Sequence, residues 1–166
     1  MGSGRSWFVA AAAACAAAWA WSLARLPERV PVHFGGAGEP DRWAGRTEAL
    51  WTSGLLALGM ALLFAGLVAL VRRVPAHSLD VPNPDYWKRP EHLPRLRALM
   101  ADDLWWIGAW TLLLLAAVQV LLVRAAQLPD PRLDGWAYAV LGLYLLAVLG
   151  RVGWMLTRRF AVPEPR

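Results

Sequence analysis

Four stretches of this chain are long, apolar and almost free of charge. Residues 7–23, 50–71 and 104–123 contain no Asp, Glu, Lys or Arg, and residues 136–156 are interrupted only by Arg151. The hydrocarbon core of a bilayer is about 30 Å thick, and roughly 20 apolar helical residues cross it. The pattern therefore predicts transmembrane helices over residues 7–25, 50–72, 103–124 and 136–157.

The composition indicates a membrane protein, with 58% hydrophobic and 17% charged residues. We expect an all-α integral membrane protein, with four transmembrane helices in one small bundle over residues 1–166. A cleaved signal peptide is the alternative for the first run, because Arg5 precedes it and Ala18-Trp19-Ala20 fits a cleavage site. The length of the run and its paired tryptophans, Trp19 and Trp21, favour a retained helix.

The distribution of basic residues predicts the orientation, because Lys and Arg accumulate on the cytoplasmic side of membrane proteins. One side holds Arg5, Arg72, Arg73, Lys88, Arg89, Arg95, Arg97, Arg158, Arg159 and Arg166. The other side holds fewer, namely Arg25, Arg29, Arg42, Arg46, Arg124 and Arg132. We therefore expect a multi-pass protein of the bacterial cytoplasmic (inner) membrane with both termini cytoplasmic. The net charge of +5 is explained by this asymmetry, so the lipid bilayer rather than nucleic acid is the expected partner.

The loop between the first two runs, residues 26–46, is rich in Pro and Gly and carries two aromatic residues. Such a segment cannot form a regular helix, yet its prolines restrict the backbone and its glycines allow a sharp reversal. We expect an ordered extracytoplasmic loop that binds a ligand or partner through Pro31, His33, Phe34, Gly38, Pro40, Asp41 and Trp43. A metal site formed by His33, Glu39 and Asp41 is a weaker alternative, because their spacing matches no established metal motif.

Small residues recur at every fourth position of the second helix and predict a packing ridge of Ser53, Ala57, Ala61, Ala65 and Ala69. Ala10, Ala14 and Ala18 repeat this spacing in the first helix. We therefore expect these two helices to pack as an antiparallel hairpin. For the first helix, a general abundance of alanine explains the pattern equally well.

Arg151 lies about 7 Å inside one end of the fourth predicted helix. A guanidinium at that depth requires an anion or must extend to the headgroups. Asp102 and Asp103 begin the third helix on the same side, so we expect a structural ion pair between Arg151 and one of them. Snorkelling to the headgroups and a role in transport are the alternatives.

An amphipathic segment precedes the third helix. Leu93, Leu96, Leu99 and Met100 recur at helical spacing among basic residues, which is typical of a segment lying at the membrane interface. Its basic face favours anionic lipid.

The sequence contains no motif for catalysis. There is no H-E-x-x-H or G-x-S-x-G pattern and no pair of carboxylates within a span, and Gln119 is the sole amide inside one. Cys15 is the single cysteine, so no intrachain disulfide forms. We expect a protein that is not an enzyme and that has no cofactor and no metal.

The first loop carries a recognisable pattern: Pro27-Glu28-Arg29-Val30-Pro31-Val32-His33-Phe34, then Gly38-Glu39-Pro40-Asp41-Arg42-Trp43. It resembles the signature of a bacterial membrane family, domain of unknown function 1648. The resemblance covers the first helix, the loop and the start of the second helix. The segment Val81-Pro82-Asn83-Pro84-Asp85-Tyr86-Trp87 is similar to a second, cytoplasmic element of the same family, although Pro84 and Pro94 depart from the pattern.

The family domain also occurs in the immunity protein against a secreted sporulation-delay toxin. The resemblance thus implies a cytoplasmic-membrane protein active in toxin immunity or envelope signalling, with a secreted peptide or another membrane protein as partner. An accessory subunit of a larger membrane complex and a small transporter are the alternatives. The sequence does not fix the oligomeric state.

Overall fold

The computed structural model describes residues 3–162 and is mostly helical. Four long helices, a β-hairpin and a short irregular cap make up the described chain. In order they are α1 (Ser3–Leu23), β1 (Arg29–Phe34), β2 (Pro40–Gly45), α2 (Arg46–Arg73), the single turn α3 (Pro84–Trp87), α4 (Leu93–Ala126) and α5 (Gly135–Trp154). A π-helical turn, Met155–Arg159, follows α5. Arg166, counted in the predicted cytoplasmic tail, lies outside the described residues.

Each of the four long helices is long and apolar enough to cross a membrane. They correspond to the four predicted runs, and together they fit a multi-pass membrane protein. The largest difference is in α4, which extends for 34 residues from Leu93. The predicted amphipathic segment is thus the beginning of α4 and not a separate element, because no helix-breaking residue separates Leu96 from Asp103.

The centre of the bundle is α4, and α1, α2 and α5 all pack on it. One core cluster joins Phe8, Ala11 and Cys15 of α1 to Ala109 and Leu112 of α4. The buried face of α1 is therefore not the alanine face expected from the sequence, since Ala10 and Ala14 are exposed. Ala10 and Ala14 therefore do not make the expected contact with α2, and α1 packs chiefly against α4.

The predicted ridge on α2 makes only part of the expected contact. Ala57 and Ala61 pack against the core cluster that contains Leu112, Ala65 is half-buried and Ala69 is exposed. The Ser53 hydroxyl donates to the Leu50 carbonyl of its own helix. An open groove of about 420 Å³ lies between α1 and α2, lined by small and aromatic residues of both helices together with Leu112 of α4. The two helices are therefore in contact over only part of their length, and an open groove separates them elsewhere.

The first loop folds into a two-stranded antiparallel hairpin, so the expected all-α class needs correction. Val30 pairs with Ala44 and Pro31 with Trp43, and the register shifts between Pro31 and Phe34. β-branched and aromatic residues favour strands, and Gly-rich turns reverse them. Short strands of this kind need a packing surface, and the helix ends provide it.

At the opposite end of the bundle, the linker between α2 and α4 forms a compact cap. Leu79, Val81 and Trp87 of the linker pack with Leu96 of α4 and with Phe160, which follows α5. The Phe160 carbonyl accepts hydrogen bonds from Asn83 Nδ2 (3.0 Å) and Trp87 Nε1 (2.9 Å). The apolar face of the predicted amphipathic segment is therefore covered by this cap.

Candidate functional site

The base of the hairpin is fixed to the bundle by a second apolar cluster. Leu26 and Val30 pack with Ala49 and Leu50 of α2 and with Val123 of α4. Val30 is fully buried. Because strand residues alternate between faces, burying Val30 and its cross-strand partner Ala44 leaves Arg29 and Trp43 exposed on the other face, where only Pro31 is also buried.

The turn of the hairpin is closed by its own backbone and by a contact with the α4–α5 linker. The Gly35 amide donates to the Glu39 carbonyl (2.8 Å), and the Gly38 amide donates to the Gly35 carbonyl (2.9 Å). Gly38 has φ = 80°, a conformation that favours glycine. Its carbonyl accepts from the Leu133 amide (2.9 Å), and Arg132 approaches Glu39 at 3.4 Å. The hairpin is thus held at both its base and its tip.

The outward face of the hairpin carries polar and aromatic side chains. His33 Nδ1 lies 2.5 Å from Asp41 Oδ1, and both side chains are more than half exposed. The Arg29 guanidinium lies 4.7 Å from the centre of the Trp43 ring, a cation–π contact. Trp43 itself is 38% exposed. This surface, His33, Asp41, Arg29 and Trp43, is called the hairpin face below.

The predicted loop residues divide into two groups. His33, Asp41 and Trp43 lie on the hairpin face, whereas Pro31 and Gly38 are buried and Phe34 and Pro40 are half-buried. The second group supports the strands and the turn and does not present functional groups to solvent. Arg29 belongs to the face but was not selected from the sequence, because its role depends on the cross-strand position of Trp43.

The alternative metal site receives no support from the geometry. Glu39 turns toward Arg132 at the tip, while His33 pairs with Asp41. Over residues 3–162, no group of three or more His, Cys, Asp or Glu side chains is arranged to hold a metal ion.

The hairpin and the helices on either side of it also carry a family match. Residues 10–58 match the family described as Domain of unknown function (DUF1648). This DUF1648 segment comprises most of α1, the whole hairpin and the beginning of α2.

A relative of this chain is an uncharacterized protein from Archaeoglobus fulgidus, 40% identical over 53 residues. The aligned part covers 30% of this chain and 29% of that protein. No solved structure matches the chain. The similarity to this relative therefore covers less than a third of either chain.

A second polar site lies outside the DUF1648 segment, at the end of the bundle opposite the hairpin. The structure brings together the predicted ion pair: Arg151 Nη2 lies 2.6 Å and Nε 3.0 Å from Asp103 Oδ1. Asp102 is farther from Arg151, at 3.8 Å. The Asp103 side chain is 1% exposed and that of Arg151 17%, so the guanidinium is paired within the protein.

Arg159 completes this cluster and was not selected from the sequence. Its Nε donates to Asp103 Oδ2 (2.8 Å), and its Nη2 donates to Asp102 Oδ2 (3.0 Å). Trp154 lies between the two arginines, with its ring centre 4.7 Å from the Arg151 guanidinium and 5.0 Å from that of Arg159. Arg159 is the last residue of the π-helical turn that follows α5, so this turn brings it to the cluster.

Asp102 and Gln119 both join α4 to α1. Asp102 Oδ1 accepts from the Gly4 amide (3.0 Å) in the first turn of α1, where a carboxylate is favourable. Near the hairpin end, Gln119 Nε2 donates to Ser22 Oγ (2.7 Å), and Ser22 donates in turn to the Trp19 carbonyl (2.6 Å). Gln119 was noticed as the sole amide within a span, but its partner depends on how α1 packs against α4.

Proposed function

We propose that this chain is a non-enzymatic protein of the bacterial cytoplasmic membrane whose hairpin face recognises a secreted peptide or an extracytoplasmic segment of another membrane protein. Toxin immunity and envelope signalling are the two roles that the family resemblance suggests. The observation that supports recognition is the hairpin face itself, which is exposed and is held to the bundle at its base and at its tip. Its polar and aromatic groups are exposed, although the strands beneath them are fixed by buried residues and by the α4–α5 linker.

The chemistry of the hairpin face suits a peptide. Trp43 offers a large amphipathic surface, and Trp and Arg are the side chains most enriched in binding hot spots. The imidazole of His33 and the carboxylate of Asp41 offer a donor and an acceptor for peptide groups. A face fixed before binding loses little conformational entropy when a ligand arrives.

The proposal requires the hairpin to lie outside the cytoplasm, as the distribution of basic residues favours. In a Cys15→Ala background, Ala37→Cys and Ser78→Cys place single thiols at exposed positions at opposite ends of the bundle. We expect an impermeant maleimide to label the Ala37 position in intact cells and the Ser78 position only after permeabilisation. Labelling with the reverse pattern would overturn the orientation and the proposed site together.

Recognition is tested by site-specific photo-crosslinking in living cells. The photo-reactive residue p-benzoylphenylalanine replaces Trp43 or, as a matched control, Trp136, an aromatic residue that is 63% exposed at the start of α5. We expect a discrete peptide or protein adduct from the Trp43 position and none from the Trp136 position. The adduct should disappear with Asp41→Ala, while the thermal unfolding midpoint of that variant stays near the parent value.

Two results would contradict recognition by the hairpin face. One is equal adducts from the Trp43 and Trp136 positions, which indicates contact without selectivity. The other is an adduct at Trp43 that survives both His33→Ala and Asp41→Ala in folded protein.

A second candidate function is an accessory subunit of a larger membrane complex. The observation that favours it is the outer side of α5, where Gly142, Gly150 and Gly153 face open space and Leu146 is 75% exposed. Small residues allow close approach of a partner helix in a bilayer. A stoichiometric protein adduct from a photo-crosslinker at Leu146, with none at Trp43, would favour this function. The transport alternative has no comparable support, because Gln119 and Asp103 are bonded within the chain.

A further inference from the structure

A basic cavity lies where the end of α2 meets the beginning of α4. Its volume is about 460 Å³, and its lining consists of Arg72, Pro90, Leu93, Pro94, Arg97 and Ala98. It is separate from the hairpin face and from the Asp102–Asp103 cluster. We propose that this cavity binds a phosphate group, supplied by the headgroup of an anionic phospholipid.

The two arginines of the cavity have no acidic partner in the described part of the chain. Neither Arg72 nor Arg97 forms a salt bridge there, in contrast to Arg151 and Arg159, which share two carboxylates. Two cations at the rim of one cavity repel each other unless an anion lies between them. Phosphate is an appropriate anion, because the guanidinium fork matches its oxygens.

Arg97 is positioned in advance for such a ligand. Its Nη2 donates to the Val74 carbonyl (2.7 Å), which fixes the guanidinium against the end of α2. Its Nε is buried and has no hydrogen-bond partner within residues 3–162. The guanidinium therefore retains donor capacity that the described chain does not satisfy.

The depth of the cavity favours a lipid headgroup over a free ion. Arg72 directly follows the uncharged stretch of α2, and Arg97 lies about 10 Å before Leu104 along α4. Both positions correspond to the headgroup region that borders a hydrocarbon core of about 30 Å. Leu93, Pro94 and Ala98 add an apolar wall that suits the glycerol and upper acyl carbons. The cavity also adjoins the first turn of α4, whose dipole favours anions.

The test uses the full chain purified in a neutral detergent. Phosphatidylglycerol is titrated against diacylglycerol with the same acyl chains, and thermal unfolding is followed by tryptophan fluorescence. We expect a saturable rise of the unfolding midpoint with phosphatidylglycerol and none with diacylglycerol. Arg72→Gln should weaken the apparent affinity about tenfold, as expected for the loss of one charge-assisted contact.

Arg73→Gln is the matched control, because Arg73 is adjacent, exposed and equal in charge but does not line the cavity. It should retain the affinity of the parent. A second variant, Arg97→Lys, keeps the charge and removes the planar fork, so it should also bind more weakly. Because it also alters the hydrogen bond to Val74, its shift with lipid is measured against its own midpoint without lipid.

Three results would overturn the assignment. Equal weakening by Arg72→Gln and Arg73→Gln indicates diffuse attraction to basic residues. Equal protection by diacylglycerol shows that the phosphate is not recognised. The same protection by millimolar inorganic phosphate alone identifies a free anion, and the lipid source is then wrong.

Discussion

Replacing Asp103 by Asn should destabilise the protein more than any other single change in its ion-pair cluster. The Asp103 side chain is 1% exposed and accepts three charge-assisted hydrogen bonds from Arg151 and Arg159. Removing one partner of a buried ion pair typically costs about 3–5 kcal/mol, because it leaves a charge without compensation. Both arginines are themselves largely buried, so Asp103→Asn should lower the free energy of unfolding by about 3 kcal/mol or more.

Asp102→Asn is the matched comparison, because the substitution is identical and the position is adjacent. Asp102 is 19% exposed and makes one short contact with Arg159 and one hydrogen bond with the Gly4 amide. Its loss should cost about 1–2 kcal/mol, since each contact contributes modestly and water reaches the site. The geometry thus predicts that Asp103→Asn lowers the free energy of unfolding more than Asp102→Asn does.

The assay is reversible unfolding in mixed micelles with increasing dodecyl sulfate, followed by tryptophan fluorescence. A double-mutant cycle that pairs Asp103→Asn with Arg159→Gln should give a coupling energy of about 0.5–3 kcal/mol. If Asp103→Asn costs no more than Asp102→Asn, or if the cycle is additive, the buried carboxylate is not the centre of the cluster and the reasoning fails.

Two further substitutions test the packing of α4 by the same assay. Gly108→Ala should lower the free energy of unfolding by about 1–3 kcal/mol, because the new Cβ would lie 2.7 Å from Phe64 Cγ and 2.9 Å from the Phe8 ring. Gly142→Ala is the control: its Cβ would meet open space, so the stability should stay the same or rise slightly. Equal effects would show that Gly108 is not a point of close helix contact. Gln119→Leu should lower the free energy of unfolding by less than about 2 kcal/mol, since hydrogen bonds between membrane helices average about 0.6 kcal/mol. A larger decrease would indicate that the Gln119 amide does more than bond Ser22.

The long apolar runs predicted the four helices well, because such a run has few other stable conformations. Which helices pack against each other could not be predicted from these runs. α1 offers alanine on nearly every side, and its buried face is selected where Phe8 meets the gap at Gly108 of a distant helix. That fit is a property of two helices together, and neither sequence segment reveals it alone.

The candidate sites show the same division. Arg151 and Asp103 could be paired from the sequence, because an unpaired charge within an apolar run requires compensation. Arg159 could not, since the predicted fourth helix ends at residue 157, whereas a π-helical turn continues the helical chain to Arg159. For the hairpin, Pro and Gly predicted order and reversal, but the outward direction of Trp43 depends on a strand register with an irregularity near His33.

The attachment of α5 has a consequence for synthesis of the chain. None of its residues is buried, and its two ends are held by the hairpin tip through Leu133 and by Asp103 through Arg151. Both receiving sites are translated before α5 itself. Until the last helix inserts, a nascent chain therefore exposes the hairpin tip and leaves the Asp103 carboxylate without its arginines at the edge of the bilayer. Arrival of α5 closes both sites, so a product truncated before α5 retains an uncompensated charge at Asp103.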